Sequence, residues 1–117
     1  MKKVWHLANC KTCQRIIAEL ELEKHGFELQ NIKEENIDAK TLDAIKEQEG
    51  SYEAIFSRRA MKYRSLGLNE KNLSEDEYRK WILEEYTFLK RPVIQIGETY
   101  FVGSTKAIIA KAKEKIG

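Results

Sequence analysis

Apolar residues change their spacing along the chain, and the changes divide it into strands and helices. Val4, Trp5 and Leu7 crowd the short run from Lys3 to Leu7, which stops at the polar Ala8-Asn9-Cys10 and predicts a first strand ending in a loop. From Cys13 onward Ile16, Ile17, Leu20 and Leu22 recur at helical spacing. A first helix is therefore expected to run to about His25-Gly26, where glycine can take the left-handed conformation that closes a helix. Phe27, Leu29 and Ile32 lie close to alternation with polar residues and predict a second strand. Because a helix joins the two strands, they are expected to be parallel, a βαβ unit.

The middle of the chain has helical spacing. Asp38 or Thr41 is placed to cap a second helix that carries Ile45 and stops at Gly50, and further helices are expected at about Tyr52 to Leu66 and Ser74 to Glu84. Ser74 with Glu77 three residues later has the spacing of a capping box. Arg91-Pro92-Val93-Ile94-Gln95-Ile96 and Thr99-Tyr100-Phe101-Val102 are two β-rich runs separated by Gly97-Glu98, which predicts a hairpin. Ser104 is expected to cap a last helix, with Ile108, Ile109 and Ala112 inward and Lys111, Lys113 and Lys115 near the C-terminal end, where cations suit the dipole. The order β-α-β, a helical insertion at about residues 38–88, then β-β-α is that of an α/β protein.

Length and composition narrow this further. The 117 residues are the size of one domain, and 42% hydrophobic with 34% charged residues describes a folded, helix-rich chain. A formal net charge of +2 gives no reason to expect nucleic acid as a direct partner, so any selectivity for anions must come from local placement. No apolar run approaches the ~20 residues of a membrane span. The expectation is an unprocessed, cytoplasmic protein with no membrane association.

Both cysteines lie in Cys10-Lys11-Thr12-Cys13, so they cannot staple distant parts of the chain. Cys10 falls just before the first helix, where unpaired backbone N–H groups and the helix dipole favour a thiolate, the nucleophilic form of sulfur. Lys11 and Arg15 add positive charge nearby, and His6 ends the first strand, from which it could face the loop. One helical turn separates the two sulfurs, so Cys10 is expected to attack and the more buried Cys13 to resolve. The bland alternative is that both thiols fill space under the helix. A zinc site would need four ligands, and neither His6 nor His25 has a second paired spacing, so no metal is expected. Arg91 precedes a strand-starting proline, Pro92, which can be cis and would direct the Arg91 guanidinium fork at Cys10, suited to an oxyanion or a carboxylate. Arg58 and Arg59 follow Ser57 at a helix junction, where twin arginines are most often solvated surface.

Asn9-Cys10-Lys11-Thr12-Cys13, Ile55-Phe56-Ser57-Arg58-Arg59 with Leu66-Gly67-Leu68 after it, Leu89-Lys90-Arg91-Pro92-Val93-Ile94 and Val102-Gly103 together resemble the ArsC/Spx/YffB family along essentially the whole chain. The resemblance implies a thioredoxin-like fold with a four-stranded mixed sheet in a single domain, residues 1–117, and a thiol-dependent oxidoreductase of arsenate reductase type. Cys10 would be the nucleophile, Cys13 and Arg91 would complete the catalytic set, and Arg91, Arg59, Lys11 and Thr12 would bind substrate, with His6, Arg15 and Pro92 in support. In the arsenate reductases three arginines hold the oxyanion. Here Arg91 matches the first, Ser57 stands at the second, so that Arg59 matches the arginine of the Spx and YffB branches, and Gly103 stands at the third. The substrate implied is a small oxyanion or a glutathione mixed disulfide, with no bound cofactor and with glutathione, glutaredoxin or thioredoxin as reductant. The Cys10–Cys13 pair is also similar to that of Spx, a redox-switched regulator, which implies the RNA polymerase α subunit as an alternative partner.

Overall fold

Four short strands and five α-helices follow one another in the order β1 (Lys2–His6), α1 (Lys11–Glu19), β2 (Glu28–Asn31), α2 (Ala39–Glu49), α3 (Met61–Ser65), α4 (Glu75–Glu84), β3 (Val93–Ile96), β4 (Thr99–Val102) and α5 (Lys106–Ile116). The computed structural model describes all 117 residues. They divide into two compact units, Met1–Glu35 with Arg91–Gly117, and Asn36–Lys90.

In the first unit the strands form one sheet in the order β2-β1-β3-β4. β1 and β2 are parallel, as a helical crossover requires, while β1–β3 and β3–β4 are antiparallel. Leu29, Val4, Ile94 and Phe101 form one rung across all four strands, and with Ile16 of α1, Leu20 just after it and Ala112 of α5 they build the core on one face. A neighbouring rung on the opposite face carries Glu28, Lys3, Gln95 and Tyr100, where Lys3 and Glu28 pair at 3.1 Å. This mixed sheet with α1 and α5 on one face is the thioredoxin-like arrangement.

The first helix is shorter than its apolar spacing suggests. It ends at Glu19 because Glu21 adopts φ +52°, and the N–H groups of Glu21 and Leu22 turn back to the carbonyls of Ala18 and Ile17 at 3.1 Å each. That pair of bonds is a Schellman closure, with glutamate where glycine is usual. Leu20, Leu22 and Phe27 join the core from the turns that follow, which is why their spacing mimics a longer helix. Gly26 is left-handed, φ +81°, but closes those turns rather than α1.

In the second unit Asp38 caps α2, accepting from the Thr41 N–H at 2.8 Å, and left-handed Gly50 stops it. Ser74 and Glu77 make the full capping box at the start of α4. The helix expected over 52–66 is broken instead. A 3₁₀ turn, Glu53–Ile55, gives way to extended chain at Phe56, whose backbone bridges Leu89, and α3 occupies only Met61–Ser65. Phe56 stacks on Phe88 with centroids 4.8 Å apart and meets Tyr78 edge-on at 5.0 Å, so the aromatic core of this unit sets the break. The last helix is capped by Thr105, not Ser104: its side chain accepts from the Ile108 N–H at 3.3 Å. Both residues are good caps, and only the backbone path distinguishes them.

A non-glycine residue at φ +52° carries steric strain that glycine does not. Glu21→Gly is therefore expected to stabilise the protein by about 0.5 to 1 kcal/mol in urea unfolding. A clear loss of stability would contradict the Schellman assignment.

Candidate active site

Sheet register decides what meets what at the end of β1. Trp5 is opposite Val93 at the end of the antiparallel β1–β3 pair, so Arg91, two residues before β3, lies at the end of the sheet where β1 runs into the turn leading to Cys10. The Arg91–Pro92 peptide is cis, as the sequence allowed, and Pro92 is buried, its carbonyl accepting from the Gly103 N–H at 3.0 Å.

Cys10 is the N-cap of α1, with φ −89° and ψ 116°. A capping side chain accepts from the third helical N–H, and in α1 that residue is Cys13. No side-chain cap bond is formed at Cys10; a neutral thiol is a weak acceptor for one, whereas a thiolate is a strong one. Partial burial of the Cys10 sulfur works against ionisation. It is outweighed by the Cys13 N–H, the Cys13 thiol and the Arg91 guanidinium, each hydrogen-bonding the anion, and the result lies below the ordinary thiol range. Cys13 has the opposite fate. Fully buried, and facing the charge of Cys10, its thiol is pushed up to about 11, although the Leu7 backbone and Arg91 pull the other way. The two sulfurs are thus tuned in opposite directions, Cys10 towards the thiolate and Cys13 towards the neutral thiol. Both are present as free thiols.

The other residues expected at the site divide. Lys11 is exposed at the first helical position and Thr12 is half-buried behind it. Arg15 turns along α1 to Glu19, N–O 3.9 Å, so its charge is directed away from Cys10. His6 is half-buried on the α1 face of the sheet and lines a cleft of about 520 Å³ with Ala8, Gln14, Ile17 and Leu29. Burial lowers its pKa, only partly countered by Glu23, which favours the neutral ring. Arg59 is exposed in the turn before α3, in the second unit. Its neighbour Arg58 is committed within that unit to Glu53 at 2.6 Å and the Tyr78 hydroxyl at 3.0 Å. No group of three or more His, Cys, Asp or Glu stands close enough together to hold a metal ion, and no helix is long and apolar enough to cross a membrane.

Two residues at the loop carried no signal in the sequence. Asn31 at the end of β2 and Gln14 on α1 both bind the backbone of Ala8. Lone amides in polar surroundings are indistinguishable from solvated ones until β2 is placed beside β1.

A thioredoxin-like sheet with a thiol pair at the start of its first helix and an arginine beside a cis-proline defines a thiol-chemistry class of protein. Within it, the chain belongs to the ArsC family, whose model matches residues 5–112. Solved structures agree in fold. A Bacteroides fragilis protein related to the ArsC family superposes with a TM-score of 0.82 at 20% identity, covering 99% of this chain and 97% of its own. An arsenate reductase from Vibrio cholerae gives 0.79 at 18%, covering 94% and 95%. A Streptococcus mutans protein described as a possible arsenate reductase gives 0.76 at 25%, covering 91% and 92%. No curated protein matches the chain in sequence.

Alkylation by iodoacetamide, followed against pH, is expected to modify Cys10 with a midpoint below the roughly 8.5 of a free thiol and to leave Cys13 unmodified at neutral pH. Arg91→Ala removes a cation from the sulfur, so the midpoint should rise and the rate at pH 7 fall by about threefold or more. An unchanged profile in that variant would separate Arg91 from Cys10.

Proposed function

We propose that this protein is a thiol-dependent oxidoreductase of arsenate reductase type, in which Cys10 attacks the electrophile and Cys13 resolves the intermediate. The observation that carries the reading is the opposite tuning of the two sulfurs, Cys10 towards the anion and Cys13 towards the neutral thiol. A nucleophile must be deprotonated before attack, and a resolving thiol must stay protonated until the intermediate forms.

The substrate class is an oxyanion or a glutathione mixed disulfide. With arsenate, the Cys10 sulfur would bond to arsenic with loss of water. Attack by a second thiol on the Cys10 sulfur would then break the S–As bond and leave its electron pair on arsenic. Arsenic(V) becomes arsenic(III), two thiols become one disulfide, and one water is released. With a mixed disulfide, Cys10 would take the glutathionyl sulfur and expel the partner thiolate, after which Cys13 would release glutathione and close the Cys10–Cys13 bond. In both cases two electrons from glutathione, glutaredoxin or thioredoxin restore the dithiol. Arg91, whose guanidinium already acts on the Cys10 sulfur, is suited to hold the incoming anionic group. Arg59, Lys11 and Thr12 are the further contacts we assign to substrate.

Arsenate and a glutathione mixed disulfide, each offered with the three donors in turn, test this directly. Wild-type turnover of at least one substrate is expected, with loss to background in Cys10→Ser. In Cys13→Ser, a glutathione adduct on Cys10 should accumulate and be visible by intact mass. Full turnover in Cys10→Ser would refute the assignment.

A further inference from the structure

The turn that presents Cys10 has no sheet or helix ladder to hold it, so its backbone groups must find partners one at a time. The Cys10 N–H donates to the Leu7 carbonyl at 3.0 Å, closing the turn, and the Gln14 N–H donates to the Cys10 carbonyl at 3.0 Å. Ala8, between them, is held from outside. Its N–H donates to Asn31 Oδ1 at 3.2 Å, and its carbonyl accepts from Gln14 Nε2 at 2.7 Å. Ala8 is exposed, so water could satisfy both groups without fixing the chain. Two ordered amide side chains do so here instead, at a cost in rotamer entropy.

Both amides are fixed in place. Asn31 is paired with His6 in the β1–β2 register, which the Ile32 N–H secures on the His6 carbonyl at 2.8 Å, so it stands on the α1 face opposite the residue two positions before Ala8. Its Oδ1 also receives the Lys33 N–H at 3.4 Å and its Nδ2 donates to Glu34 at 3.1 Å, so both ends of the amide are engaged. Gln14 uses its backbone on Cys10 and its side chain on Ala8, tying two carbonyls of the turn to one residue of α1.

We propose that Asn31 and Gln14 are positioning residues of the thiol site, which clamp both backbone groups of Ala8 between the end of β2 and α1 and so fix where the Cys10 sulfur stands. Their hydrogen bonds go to the backbone of the turn and not to the sulfur. The inference rests on the reading of Cys10 as the reactive thiol. With the clamp in place, the sulfur is held against the Cys13 N–H, the Cys13 sulfur and Arg91 together. Without it the turn drifts, and the alignment that makes the thiolate and the alignment that closes the disulfide are lost in parallel.

The variants are Gln14→Met, Asn31→Leu and the pair. Gln14 is exposed on α1 and methionine is a strong helix former, so that variant keeps its fold even if Asn31→Leu does not. Three quantities are measured: the pH profile of Cys10 alkylation by iodoacetamide, the equilibrium of the Cys10–Cys13 disulfide against glutathione, and the thermal unfolding temperature. Each single variant is expected to slow alkylation at pH 7 by about threefold through an upward move of the midpoint. Disulfide formation should weaken in the same variants through the lost alignment of the two sulfurs. Folded single variants with unchanged alkylation profile and unchanged disulfide equilibrium would overturn the proposal, as would losses that follow the unfolding temperature alone. None of these readouts needs substrate turnover. Shifted profiles in a protein inactive on both arsenate and mixed disulfides would support the clamp while removing the reductase reading.

Discussion

The first N–H groups of an α-helix have no carbonyl within the helix to accept them, and in this protein the residue at the N-cap, where a side chain can meet the third of them, is a cysteine. Everything distinctive about the site follows from that placement. Cys10 stands at the N-cap, where an anion completes the helix start, and the residue whose N–H it meets is Cys13, so the group that stabilises the thiolate also carries the second thiol. A pair three residues apart could not serve both purposes in the middle of a helix, where that N–H is already bonded. The same spacing raises the cost of ionising Cys13, because two thiolates one turn apart repel and the second is buried.

The sheet supplies what the helix lacks. Backbone amides carry partial charge only, and the full positive charge comes from Arg91, brought to the turn by the antiparallel register of β1 and β3. The parallel register of β1 and β2 brings Asn31 to the same turn from the other side. The central strand β1 therefore has both neighbours contributing a side chain to the loop at its end. A shift of either register by one residue would turn the contributed side chain to the opposite face of the sheet. Packing of the Leu29–Val4–Ile94–Phe101 rung against α1 and α5 fixes both registers, which links the core to the chemistry.

How far this could be read from the sequence depended on whether the signal was local. The Gly97-Glu98 turn, the Ser74–Glu77 capping box, the stop at Gly50 and the position of Cys10 ahead of a helix are all encoded within a few residues, and each has its expected place. Arg91 was legible because proline at a strand start constrains its neighbour. The misplaced elements depend on distant partners. Leu20 and Leu22 keep helical spacing beyond the end of α1 because the core accepts them from turns, and Phe56 leaves the helical path because Tyr78 and Phe88 lie far along the chain. Arg15 shows the limit of counting charges along a sequence: it is five residues from Cys10, yet its guanidinium faces Glu19. Asn31 is 23 residues from Ala8 and gave no sign of their contact.

The chemistry of the site depends on a sulfur anion at the start of α1, held beside a second sulfur that is not ionised. Titrating the ultraviolet absorbance of thiolate in the reduced protein measures both at once. Two well-separated steps are expected, the first below the range of an ordinary thiol and abolished in Cys10→Ser, the second near the value of about 11 to which Cys13 is pushed. Two steps merged in the ordinary thiol range, or a first step that survives the loss of Cys10, would contradict it.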